Sequence, residues 1–355
     1  MSEDLYRQLQ QKLDAYSVGF PATTTGVEIE ILKKLFREDD ARVFLALSPR
    51  LESASALAPR LGLSEAEAAA KLEDMTDRGL LFRLGPAEAR RYGTIAFVHG
   101  LFEFQVKRLD RELADLMARY FADGFVANMI ANAGGFLRTV PVERAVEIEN
   151  RIAAYEDACA LLRGKELIVV ADCICRKAKA MMADGCGKPM EVCYMFGSMG
   201  QYYLDHQMGR RVDADEAIAI LQKAQEAGLV TQPASAKNPA GMCNCCGDCC
   251  GVLQSIRQHP RPAEVVFSNH FAEVDADLCT GCGDCEDICQ MDAIAVGESD
   301  TAEVDRERCI GCGLCVVACN EGAARLEAKP ASQRRTPPDN SLQQMIAMAK
   351  KRGVL

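Results

Sequence analysis

Several features are missing from this sequence, and each absence removes a class of function. No stretch approaches the ~18 consecutive apolar residues of a membrane-spanning helix; the run at Leu167–Ala171 is strand-sized. The N-terminal segment MSEDLYRQLQQKLDAY has no basic stretch followed by an apolar core, so a secretory leader is not expected. There is no GxGxxG behind a strand and no P-loop, and Gly134-Gly135 and Gly197-Ser198 read as turns, so no flavin, nicotinamide or nucleotide site is visible. Histidine is scarce: His99, His206, His259 and His270 are scattered and form no catalytic dyad in the sequence. Positive charge is short as well. The formal net charge of −10 argues against a broad nucleic-acid footprint.

What the sequence has instead is cysteine, 18 of them in 355 residues. A disulfide scaffold of that density would be short and secreted. Here the cysteines cluster as CxxC, CxC and CC, the pattern of thiolate ligands kept reduced in a cytoplasm. With 49% apolar and 26% charged residues the composition is that of a globular protein with two or three domains. A cytoplasmic metalloprotein is therefore expected.

The pattern along the chain predicts an α+β multidomain protein. Residues 1–20 read as a helix or arm. Residues 1–98 together resemble a winged-helix domain. Ile29, Leu32, Leu35 and Phe36, then Val43, Phe44 and Leu47, give two helical stripes. Ser64 with Glu67 caps a further helix, and Leu80–Leu84 and Tyr92–Val98 read as strands around a wing at Gly85-Pro86. Residues 99–265 form a mainly helical, cysteine-rich domain. Its helical repeat runs from Phe102 to Tyr120, with a break at Gly134-Gly135 and another helix from about Glu143 to Arg163. Asp213 and Glu216 start one more helix, closed by Gly228, and residues 232–241 are a loop. Residues 266–330 form a third domain, and 331–355 a Pro-rich linker with a short basic helix.

The third domain carries the clearest chemistry. Cys279, Cys282, Cys285 and Cys289 follow C-x2-C-x2-C-x3-C, and Cys309, Cys312, Cys315 and Cys319 repeat it 30 residues later, preceded by EVD both times. Thiolates at i, i+3 and i+6 can wrap one iron–sulfur cubane only if the loop turns tightly. Gly281 and Gly283, matched by Gly311 and Gly313, supply that turn. Residues 270–328 resemble the 2[4Fe–4S] bacterial-type ferredoxin family. The resemblance implies a ferredoxin-like fold and crossed ligation: Cys279, Cys282, Cys285 and Cys319 around one cluster, and Cys309, Cys312, Cys315 and Cys289 around the other. One departure is the replacement of the usual proline after each fourth cysteine by Gln290 and Asn320.

Ten cysteines remain. Cys173, Cys175, Cys186 and Cys193 are candidate ligands of an additional cluster or of zinc. Cys243, Cys245, Cys246, Cys249 and Cys250 are candidates for a further site, either separately or around one unusual cluster with the first group. Cys159 reads as core packing. Arg176 and Lys177 are placed either to offset cluster charge or to start a solvated helix. The CICR…C…P…C…FG stretch and CNCCGDCCG resemble the middle region of uncharacterised bacterial and archaeal 4Fe–4S binding proteins that end in a ferredoxin module. That resemblance spans about residues 28–328 and implies extra metal sites without a defined reaction.

The function expected is one-electron relay through two [4Fe–4S] clusters and one or two further clusters, with zinc as the alternative for the latter. The chain would act as an electron-transfer protein or a subunit of a larger oxidoreductase rather than a stand-alone enzyme. Its expected partner is a redox protein, and oligomers are allowed. The alternatives are a redox-sensing winged-helix regulator and an oxidoreductase with a substrate-accessible cluster in the middle domain. The helix after Ser64 carries Glu65, Glu67, Glu73, Asp74 and Asp77 against Lys71 and Arg78, the wrong sign for a phosphate backbone. Nucleic acid is therefore not an expected partner.

Overall fold

The computed structural model describes residues 2–142 and 154–354. The helix Ser2–Asp14 buries Leu5, Tyr6, Leu9 and Leu13, a stripe at helical spacing, and the Tyr6 hydroxyl donates to the Phe36 carbonyl at 2.9 Å. Helices Val27–Leu35 and Glu38–Ala46 follow, then Ala54–Leu61 and Glu65–Asp77. Ser64 and Glu67 close a capping box on the last of these. Three short strands, β1 (Glu52–Ser53), β2 (Phe82–Leu84) and β3 (Arg91–Gly93), pair antiparallel in the order β1-β3-β2.

Beyond β3 the chain departs from the expected pattern. Tyr92–Val98 is not one strand, since β3 ends at Gly93. Residues 97–109 are irregular, and the regular helix is Arg111–Tyr120, started where Asp110 accepts from the Leu113 N–H. Gly134 and Gly135 do not break the next helix. They lie inside Val126–Phe136, and Gly134 lets it pass so close to the chain near residue 265 that a Cβ would sit 2.7 Å from the Val265 carbonyl oxygen. The helix expected from Glu143 lies largely outside the described residues. Its end is seen as a short 3₁₀ turn, Ala154–Glu156, and the helix Ala158–Arg163.

The middle of the chain is built on a sheet rather than on helices alone. Its strands are β4 (Ile168–Asp172), β5 (Glu191–Phe196), β6 (Gly209–Val212), β7 (Val230–Pro233) and β8 (Gly241–Cys245), all antiparallel in the order β6-β4-β5-β8-β7. Pro233 is tolerated because β7 is an edge strand. Strand alternation sorts the core. Ile168 and Val170 pack with Cys159, Leu162 and Leu221 on one face, while Val169 and Ala171 join Tyr202 and Tyr203 on the other. Asp213 caps the helix Ala214–Glu226 through the Glu216 N–H.

In the C-terminal region β9 (His270–Val274) pairs with β12 (Ala324–Ala328), and β10 (Ile294–Val296) pairs with β11 (Ala302–Val304). Two short helices, Asp284–Asp287 and Leu314–Ala318, lie within the two cysteine strings and carry Cys285 and Cys315. The final helix, Ser341–Lys351, folds back onto the body of the chain. Gln344 donates to the carbonyls of Gly135 and Phe136, and Arg352 meets Asp14. Among the described residues no helix is long and apolar enough to cross a membrane.

Candidate metal centres

The two cysteine strings line two small cavities of about 20 and 30 Å³. One is lined by Cys279, Cys282, Cys285 and Cys319, the other by Cys289, Cys309, Cys312 and Cys315. Each thus draws three cysteines from one string and the fourth from the other. The remaining lining is mainly glycine, small apolar and aliphatic, including Ile294, Ile310 and Leu314 around the second cavity. The halves also repeat their hydrogen bonds. Ala272 N–H donates to Cys309 Sγ and Ala302 N–H to Cys279 Sγ, both at 3.3 Å. Ala293 N–H donates to Cys289 Sγ at 3.3 Å and Ala324 N–H to Cys319 Sγ at 3.5 Å. Backbone donors aimed at sulfur stabilise negative charge there. Burial, helped by the neighbouring cysteines, pushes the Cys312 thiol up to about 12 and also raises Cys309 and Cys315, so thiolates here require a compensating cation. Four thiols around each apolar, N–H-lined cavity fit a [4Fe–4S] cubane.

Two glycines make the tight approach possible. A Cβ on Gly281 would lie 2.3 Å from the Asp300 carbonyl oxygen, and one on Gly311 would lie 2.2 Å from that of His270. Both have φ near +65°, the left-handed region.

The nine cysteines of the middle region divide differently from the sequence grouping. Cys186, Cys246 and Cys249 form a compact trio whose sulfurs all lie within 4.8 Å of one another, with Cys186 and Cys246 at 3.8 Å. A tetrahedral ion with ~2.3 Å metal–sulfur bonds has a sulfur–sulfur edge of ~3.8 Å, so this spacing suits a single zinc-like ion. The other six make a ring. Around one cavity Cys173 neighbours Cys175 and Cys193, Cys243 neighbours Cys193 and Cys245, and Cys250 neighbours Cys175 and Cys245, which closes the circle. The structure therefore separates Cys186 from its sequence companions Cys173, Cys175 and Cys193, placing it with two cysteines from the CNCCGDCCG segment.

The sheet explains the convergence. Cys173 follows the last residue of β4 and caps the helix Ile174–Met181, Cys193 lies on β5, and Cys243 and Cys245 share one face of β8. Cys250 caps the helix Gly251–Gln258. Cys173, Cys243 and Cys250 are held below the usual thiol range. Their thiol neighbours are the main cause, and the backbone N–H of Arg176 (for Cys173) and of Leu253 (for Cys250) add to it. Cys243 has the His99 imidazole at 3.7 Å. Arg176 is buried between the two thiol sets, donating to the Asn244 carbonyl at 3.2 Å and approaching Cys246 Sγ at 3.8 Å. It is a buried countercharge, whereas Lys177 reaches away to the Val106 carbonyl. Cys159 is buried in the core beside Leu162 and Ile168.

Two site residues escape sequence reasoning. His99 stands in a left-handed conformation (φ 56°), its ring 4.5 Å from that of Phe136 and tilted 47° to it. Glu103 is pinned by the Gly100 N–H at 2.9 Å, and burial pushes its carboxyl up to about 7. No spacing ties either to a cysteine that is about 140 residues away in sequence. The sole local signal is the HG pair, a histidine placed before a glycine at a kink.

The halves of the site are joined at the position where proline is absent. Gln290, directly after Cys289, is buried and accepts the Gly247 N–H at 2.7 Å, next to Cys246. Arg257–Asp292 (2.7 Å) and Arg308 to the Arg257 carbonyl (3.2 Å) reinforce the same junction. Asn320, the equivalent residue on the other side, is exposed.

The profile of the 4Fe-4S dicluster domain family matches residues 278–335. No curated protein and no solved structure matches the chain. The matched domain gives the protein an iron–sulfur, electron-transfer role in general terms.

Proposed function

We propose that the protein is an electron-transfer component, a relay or the electron-transfer subunit of a larger oxidoreductase, in which the ferredoxin-type domain connects a docking surface to the middle thiol sites. When bound, two [4Fe–4S] clusters supply reversible one-electron chemistry. The observation that carries the reading is the junction at Gln290: one four-cysteine cavity abuts the segment holding two cysteines of the trio and three of the ring. The other cavity faces outward. Cys282 is exposed among Asp277, Asp284, Glu286, Asp287, Asp300 and Glu321. Such an acidic rim favours a basic redox partner and speeds its encounter at low salt.

The arrangement supports a winged-helix-like reading of residues 1–98, used for scaffolding rather than for nucleic acid. Lys71 pairs with Asp39 and Asp40, Arg78 with Asp40 and Asp74, and Arg83 and Arg90 with Glu73. These cations are engaged within the chain. Tyr202 further ties the end of the helix Glu65–Asp77 and the start of the β2–β3 region to the middle domain, donating to the Leu81 carbonyl at 3.0 Å.

The test is Cys282→Ala in protein purified without oxygen. The reduced sample is expected to lose one of two interacting cluster signals and about four irons. Unchanged iron content and spectrum would refute the assignment.

A further inference from the structure

The six-thiol ring and the space above it have a relation that the relay reading leaves unused. A cavity of 500 Å³ is lined by all six ring cysteines, Cys173, Cys175, Cys193, Cys243, Cys245 and Cys250, and by none of the trio. Its walls are otherwise largely apolar, with Ile95, Phe102, Phe121, Met195, Met199 and Val252 among them. His99, Glu103 and Tyr203 supply a few polar groups. That volume, an apolar wall and a few convergent polar groups are the attributes of a small-molecule site. His99 and Glu103 retain partly open surface although they lie deep in the chain, because that surface faces this cavity. Leu342 and Met345 of the last helix also line it, and both are solvent-exposed, which places the mouth beside that helix.

The ring itself limits what it can hold. One cubane takes four thiolates, whereas six cysteines line this one cavity, two more than a cubane uses. No four of these sulfurs form a compact mononuclear group like the trio, in which all ligand atoms lie within 4.8 Å.

We propose that the six-cysteine ring holds one polynuclear iron–sulfur centre of more than four irons, and that the cavity over it binds a small, uncharged, mainly apolar molecule with a soft donor atom. The proposal rests on the iron–sulfur reading of the chain and deepens it, making the middle domain the place where relayed electrons meet a ligand. Thiolate-rich iron selects soft donors, the apolar wall selects against charge, and His99 and Glu103 lie within the same cavity to orient one polar group.

The probe is tert-butyl isocyanide, a carbon donor on an apolar body, added to the reduced full-length protein under anaerobic conditions. Total iron above about twelve per chain is expected, eight of it in the ferredoxin-type domain. A second paramagnetic signal should shift with isocyanide, while the signals abolished by Cys282→Ala and Cys312→Ala stay fixed. Cys245→Ser and, independently, Cys243→Ser should remove the shifting signal and keep the ferredoxin pair. Ala240→Phe and Met199→Phe, which fill the cavity, should keep the iron and weaken isocyanide binding at least tenfold.

Iron at about eight with intact ferredoxin signals overturns the ring proposal alone. A middle signal indifferent to isocyanide overturns the ligand site. Loss of ferredoxin signals in the unaltered protein would overturn the iron–sulfur reading and this inference together.

Discussion

Two glycines in one loop separate steric necessity from backbone preference. Gly281 and Gly283 flank Cys282, line the same cavity and have φ of 66° and 87°. An alanine at either meets the left-handed penalty of about 1–2 kcal/mol. At Gly283 that is the whole cost, because nothing lies within 4 Å of the added Cβ. At Gly281 the Cβ would sit 2.3 Å from the Asp300 carbonyl oxygen, so the β10–β11 turn or the cysteine loop must shift, adding roughly 1–3 kcal/mol. The sum, roughly 2–5 kcal/mol, is a large part of the stability of a small domain. It also falls on the loop carrying Cys279 and Cys282, whose sulfurs must keep their positions to bind. Gly283→Ala is expected to retain about eight irons and both ferredoxin signals. Gly281→Ala should lose preferentially the cluster of the Cys279, Cys282, Cys285 and Cys319 cavity, with faster iron release to a chelator. Equal iron retention and equal release rates in the two variants would refute the close-approach argument.

Three further outcomes follow from the described contacts. Cys186→Ser should remove about one zinc per chain and leave iron unchanged, since three compact thiols suit a mononuclear ion; elemental analysis decides it. Gln290→Leu should leave the buried Gly247 N–H without its acceptor, destabilising the junction by ~1–3 kcal/mol, read as a lower melting temperature with normal iron content. Burial pushes His270 down to about 4, with Arg334 and Lys329 acting in the same direction. The unfolded chain therefore takes up that proton first, near pH ~6.5. Stability is full above that pH, falls by ~2 kcal/mol by pH 5, and continues to fall toward the folded value. In His270→Asn the dependence of melting temperature on pH across this window should flatten.

What could be read from the sequence was local. The doubled C-x2-C-x2-C-x3-C strings place their ligands within ten residues, and the repeat shows the two halves of the domain before any folding is considered. The caps at Ser64 and Asp213 were legible for the same reason, each being a contact between residues three apart. The middle site was not legible. Cys193 and Cys243 meet because β5 pairs with β8, and Cys186 joins Cys246 across sixty residues of chain. Spacing along the chain cannot encode a sheet order of β6-β4-β5-β8-β7. Gly134-Gly135 misled because glycine signals either a break or a close approach, and the neighbour that decides between them lies more than a hundred residues onward. His99 was hidden in the same way, by a kink that carries it to Cys243.

The shared fourth ligands also set a timetable. On a ribosome the chain emerges from its N-terminus, and domains fold as they appear. The thiol ring lacks a member until Cys250 is made, and the trio until Cys249. The cavity of Cys279, Cys282 and Cys285 stays open until Cys319 emerges, 30 residues after its own string ends at Cys289. No thiol site is complete while the helical platform of the first 140 residues is forming. Loading of that cavity thereby waits until Cys319 has been made, and a nascent chain stopped before Cys249 presents reactive thiols but no finished site in which iron could be retained.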